Sequence, residues 1–276
     1  MTLARVIPPL ALRLAVVGAV VASRSAYADS WPDEQDQVHP CRPTVSCTAD
    51  IVAPGTFEAE IGGAASTAKQ GHAASVPLLL KQTLTTLVQL QIGSNGYTVA
   101  TGPSSASQLR YLDNVFFGPK LHLRDQREAW PSLAVSVEAS VPTFRAQGAP
   151  RDDDAFFTAF ASKDVGWLHI DWNVGVDVWR VEEEPAAQAF TAFALSASPL
   201  PPFGVAVEGY YFSDAAPLAP RDGGIRVALS VASRSWLVAD VAGDVGFFPS
   251  TRAYSFFFGM TIIPAVLWRP ARASTP

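Results

Sequence analysis

Nine side chains, Lys120, His122, Arg124, Glu138, His169, Asp171, Asp177, Glu208 and Arg226, bring together the acids, bases and imidazoles from which proton transfer, ion pairing or ion guidance is built. Lys120, His122 and Arg124 are spaced by two, as are His169 and Asp171, and a strand places residues so spaced on one face. Mixed signs on neighbouring strands could form a salt-bridged plug or line a weakly selective constriction. A second set is Cys41 and Cys47, with His39 close by. Two thiols and one imidazole are an incomplete ligand set for a metal, whereas two thiols flanking a Pro-containing loop in an oxidising compartment read as a small disulfide. No Gly-x-Ser-x-Gly, phosphate loop, dinucleotide fingerprint or paired-His zinc motif occurs, so no catalytic residue, metal or cofactor is assigned and no enzyme is expected.

Composition narrows the elements that must position these groups. The chain has 276 residues, 49% of them hydrophobic and 16% charged, which excludes a disordered polyampholyte, a coiled coil and a disulfide-stapled miniprotein. A net charge of -5 provides no basic field to hold nucleic acid. Residues 1–28 carry Arg5 and Arg13, an apolar run from Leu14 to Ala22, and Ala26-Tyr27-Ala28, the pattern of a cleaved secretory signal. That run is too short for a membrane anchor, which needs about 20 apolar residues. No later stretch is long and apolar enough for a helical span either, so an exported, half-hydrophobic chain must bury its apolar surface another way.

The rest of the sequence alternates with a period of two. In Trp167–Arg180, Leu168, Ile170, Trp172, Val174, Val176 and Val178 form an apolar face, and His169, Asp171, Asn173, Gly175 and Asp177 a polar or small one. The same alternation recurs in Leu133–Val141, Ile225–Val231 and Tyr254–Ile262. Twelve strands are expected, near 56–64, 75–84, 87–94, 111–124, 130–143, 153–163, 166–180, 187–198, 202–213, 222–233, 235–248 and 251–264. Pro77 and Pro119 each lack a ladder donor and are expected at a bulge or strand end. Long connections (65–74, 95–110, 144–152, 181–186, 214–221) alternate with short ones, as in an up-and-down barrel. Aromatics at run ends, including Tyr111, Trp130, Trp167, Trp179, Tyr210, Tyr211, Trp236 and Tyr254, suggest two interfacial girdles. The acidic runs Glu182-Glu183-Glu184 and Asp152-Asp153-Asp154 read as solvated loop tips.

A soluble sandwich turns its apolar face inward and covers the other with Lys and Glu. Here the second face is Ser, Thr, Gly, Ala, Asn and Gln with isolated charges, which suits the lumen of a membrane barrel. His122 and His169 lie on that polar face without a Ser-containing motif nearby, unlike the lipid-facing Ser and His of barrel lipases.

Several stretches resemble the outer-membrane family named for the MetA-pathway of phenol degradation. They are Ala53-Pro54-Gly55-Thr56-Phe57-Glu58-Ala59-Glu60, Pro77-Leu78-Leu79-Leu80-Lys81 before Val88-Gln89-Leu90-Gln91-Ile92, and Phe117-Gly118-Pro119-Lys120. Pro131-Ser132-Leu133-Ala134, Val141-Pro142-Thr143 and the closing Asp244-Val245-Gly246 through Phe258-Gly259-Met260-Thr261 follow in order. The resemblance implies a transporter-like barrel passing small compounds, aromatic or hydrophobic ones among them.

The chain is therefore expected to be all-β, an up-and-down antiparallel transmembrane β-barrel of about twelve strands. Its parts would be a signal peptide (1–28), a periplasmic leader with a Cys41–Cys47 disulfide (29–52), the barrel (53–264) and a polar tail (265–276). The nine charged residues above are the expected lumen, with Lys120, Arg124, Glu138 and Asp171 close enough to interact. The expected partners are outer-membrane lipid, the barrel assembly machinery and an unidentified small solute, and the tail forces any assembly signal inward, to Phe256–Ile262. The rivals are a barrel with a closed, salt-bridged lumen and a secreted soluble β-sandwich.

Overall fold

The computed structural model describes residues 36–69, 71–102, 108–141, 155–181, 184–215, 220–248 and 250–269. The expected signal at 1–28, the tip residues Asp152-Asp153-Asp154 and Glu182-Glu183, and the end of the tail lie outside the described residues. Fifteen strand segments form one sheet closed into a twelve-span antiparallel barrel. They are β1 (Thr56–Ala68), β2 (Gly71–Ser75), β3 (Leu78–Thr83), β4 (Val88–Ser94), β5 (Tyr97–Thr101), β6 (Gln108–Leu112), β7 (Val115–Arg124) and β8 (Ser132–Val141). There follow β9 (Ala155–Val165), β10 (Leu168–Val181), β11 (Glu184–Leu200), β12 (Phe203–Phe212), β13 (Asp222–Arg234), β14 (Leu237–Gly246) and β15 (Tyr254–Val266). β15 pairs with β1 from Thr56↔Val266 to Thr67↔Tyr254, which closes the barrel, and β6 pairs with β5 alone among the described residues.

Three spans are broken once each, at Val76-Pro77, Asn95-Gly96 and Asp113-Asn114, and the breaks lie side by side. Pro77 thus ends a segment as expected. Pro119 does not: it sits inside β7, paired with Leu90, and β7 resumes its register with β8 only at Lys120↔Ser136. The sequence expected long loops at 65–74, 95–110 and 181–186, but most of those residues extend strands. Nine of the twelve residues 64–75 are Ala, Ser, Thr or Gly, so no apolar alternation announces the strand there.

Exposure follows the alternation. Val174, Val207, Val227, Leu229, Phe256 and Phe258 are exposed on the outside, whereas Glu58, Glu60, Lys81, Lys120, Glu208 and Arg226 are at most 4% exposed within. The buried set is largely polar, the reverse of a soluble core. Trp130, Trp167, Tyr211 and Tyr254 ring the outside near the strand ends. Tyr210 departs from the girdle expected of it: on the inner face of β12 it is 4% exposed, and its hydroxyl meets Asp244 at 3.2 Å. Trp236 packs with Val38, Ile263 and Val266 at the end of the barrel that holds Thr56, here called the lower end.

Candidate functional site

The lumen is occupied by the chain's own leader. Sequence reading puts residues 29–52 ahead of the barrel on the periplasmic side; the described part, 36–52, runs inside it. Asp36 is anchored at the lower end by Arg269 at 2.8 Å, and the Val38 amide donates to the Ser235 carbonyl at 3.0 Å. The segment climbs along β1, crosses at Pro43–Ser46, and descends along β10, β9 and β8 to rejoin β1. Cys41 and Cys47 are joined in a disulfide, which closes this turn-about.

Each wall holds the leader by its exposed main-chain groups, because a segment without sheet partners must find them among side chains. On β1, Glu60 accepts the amides of Cys41 at 3.0 Å and Arg42 at 3.1 Å. Lys81 on β3 bridges Glu58 and Glu60, both at 2.6 Å, and donates to the His39 carbonyl at 2.7 Å. Across the barrel, Glu208 accepts the Val45 and Ser46 amides at 2.8 and 2.6 Å and the Ser46 hydroxyl at 2.8 Å. Arg226 donates to the Pro43 carbonyl at 2.5 Å and pairs with Asp244 at 2.9 Å. Asn173 accepts the Cys47 amide at 2.5 Å and returns a bond to the Cys47 carbonyl at 2.9 Å. Ser162 accepts the Ala49 amide at 2.6 Å, Lys120 donates to the Thr48 carbonyl at 2.5 Å, and His122 meets the Ala49 carbonyl at 3.2 Å. Gly62 and Gly259 make room for Arg42, since a β-carbon at Gly62 would lie 2.2 Å from its guanidinium.

The structure brings Lys120, His122, Glu208 and Arg226 onto the leader. Lys120 stands in electrostatic reach of Asp171 and Glu138, as expected, but forms no ion pair with either among the described residues: Lys120 reaches leader carbonyls, Asp171 accepts from Ser162 and contacts His169 at 3.1 Å, and Glu138 lies higher on β8. His169 is held between Asp171 and Asp164, 2.7 Å away, at the lower end. Asp177 faces inward near the top of β10. Arg124 leaves the lumen set, because a register shift after His122 turns it to the rim, where its guanidinium lies 4.8 Å from the centre of the exposed Trp130 ring. The sequence reading missed Asn173, Ser162, Ser132 and Asp50 as leader clasps. Asn173 lies on the polar face of the most regular strand, the one signal that marked it.

Below the crossing a cavity of about 650 Å³ remains between leader residues Val38–Thr44 and a wall of small residues, among them Ala194, Ala206, Ala228 and Ser230. It reaches Gly166 and Trp167 at the lower rim. Above the crossing, inward-facing rings meet in pairs: Phe116 with Phe156 at 6.3 Å, Phe190 with Phe212 at 5.6 Å, and Tyr210 with Phe212 at 6.2 Å.

No family model matches the chain, and neither does any curated protein. Among solved structures, it is similar to an outer-membrane channel from Pseudomonas putida F1, with 11% identity, a TM-score of 0.60, and coverage of 82% of this chain and 99% of that one. An anion-selective porin from Comamonas acidovorans overlaps more loosely, with 8% identity, a TM-score of 0.38, and coverage of 75% of this chain and 98% of that one. The likeness to the first is one of fold: this chain has a closed antiparallel barrel similar to that channel's.

Proposed function

We propose that the protein is an outer-membrane channel for passive passage of small solutes, constricted by its own leader. The observation that carries this reading is the inside-out barrel, apolar outside and polar inside, with a cavity beside the leader running to the lower rim. Export by residues 1–28 and insertion by the barrel assembly machinery into outer-membrane lipid belong to the same reading. So does membership of the MetA-pathway family, for which the ordered motifs speak. The paired rings in the upper lumen favour aromatic or hydrophobic solutes, which they would contact face or edge on.

A second reading, a sealed structural or binding barrel, is favoured by the leader's bonds to Glu60, Glu208, Asn173 and Arg226. Planar-bilayer conductance of the full-length exported chain separates the two. A small conductance that rises severalfold in Glu208→Ala, where the crossing is released from β12, supports a channel. Silence in both proteins, with each still migrating as a heat-modifiable folded barrel, establishes the sealed form.

A further inference from the structure

The charges in the lumen are not evenly spent. Lys81 is held by Glu58 and Glu60, Arg226 by Glu208 and Asp244, and Arg252 by Asp222 and Asp244. Lys120 is committed to the Thr48 and Asp50 carbonyls, and Arg42 to the Phe258 carbonyl at 3.0 Å. Two inward-facing carboxylates have no ion pair among the described residues, and each only stands in the field of one lumen cation, Asp240 of Arg42 and Glu138 of Lys120. Asp240 on β14 is 5% exposed, and neither of its oxygens has a hydrogen-bond partner among the described residues. It lies opposite Ser230 and two residues above Val238, both of which line the cavity. Glu138 on β8 stands above the leader beside Phe156, with no ion pair among the described residues. The cavity itself is bordered by Asp50, Asp164 and Asp171, against Arg42 and the doubly held His169.

A buried carboxylate without a partner is costly, and its cost falls when a mobile cation comes to it. Resting on the channel reading, we infer that the passage prefers monovalent cations and small cationic solutes over anions, and that Asp240 and Glu138 set the preference. The lumen cations named above offer an anion less, because each already donates to a carboxylate or a carbonyl and only the Nε atoms of Arg42 and Arg226 are left without a partner among the described residues.

The test is the zero-current potential of the full-length protein in neutral-lipid bilayers under a KCl gradient at pH 8. The expected result is a K⁺ to Cl⁻ permeability ratio well above one. Asp240→Asn and Glu138→Gln should each lower it by about fourfold, the effect of one charge about 5 Å from the path in an aqueous dielectric, and Asp240→Glu should retain it. Heat-modifiable migration reports that each variant is folded, and Glu138→Gln carries the test if Asp240→Asn does not assemble. A ratio at or below one, or folded variants with an unchanged ratio, overturns the inference while leaving the channel intact. Absence of any conductance removes the channel and the inference together.

Discussion

Lys81 shows what a single residue does in this molecule. Its ammonium, 2% exposed, neutralises two carboxylates that are themselves fully covered, and it also holds the leader at the His39 carbonyl. Taking away one partner of such a cluster leaves a buried charge uncompensated, which typically costs about 3–5 kcal/mol. Lys81→Met should therefore lower the unfolding midpoint in detergent sharply, whereas Lys163→Met, on a more exposed side chain at the lower end of β9, should move it little. Equal midpoints for the two variants would mean that the cluster contributes no more than a surface charge. Lys81 was legible as part of a strand expected near 75–84, but the leader carbonyl it serves was not, because nothing in a strand's periodicity says what fills the space it encloses.

At the scale of elements, strands and leader were unequally legible. β10 and β13 could be read residue by residue, since bulky apolar and polar side chains alternate there. β2 and β5 were blurred by Ala, Ser and Thr, whose sizes fit either face. The Cys41–Cys47 pairing was readable from spacing and compartment, yet its place inside the barrel depends on contacts more than a hundred residues apart, such as Cys47 with Asn173. The leader also carries its own titration. Burial, and then the charge of Lys81, push the His39 imidazole down to about 4 from 6.5, and its Nδ1 has no partner among the described residues. An imidazole kept neutral when folded is more readily protonated when released, so the leader's hold is complete above pH 6.5 and weakens as the pH falls towards 4. Other carboxylates titrate in the same window, so the useful quantity is a difference. The pH-dependent drop in midpoint between pH 7 and pH 4 should be smaller in His39→Asn than in the parent. Parallel curves would show that His39 is not what the leader loses.

For the whole molecule, the sign of the fold is decided by which solvent meets each face. Val227 and Ala228 are neighbours in β13, but Val227 is 48% exposed on the outside and Ala228 is 4% exposed within, beside the cavity. The outer neighbours Ile225 and Leu229 and the cross-strand Val207 continue an apolar surface too extended to leave in water. If hydrocarbon covers that surface, an arginine at its middle must be desolvated or must thin the bilayer, at about 2–4 kcal/mol, whereas lumen positions tolerate polar groups. Val227→Arg should then cut the heat-modifiable folded fraction in liposomes, and Ala228→Ser, a change of similar polarity sense one residue away, should leave it unchanged. In a soluble barrel of the same shape the difference vanishes: the arginine would sit in water at little cost, and the folded fraction would be the same with or without lipid. The pair of variants therefore tests the assignment of faces on which the channel, its leader and its charge preference all stand.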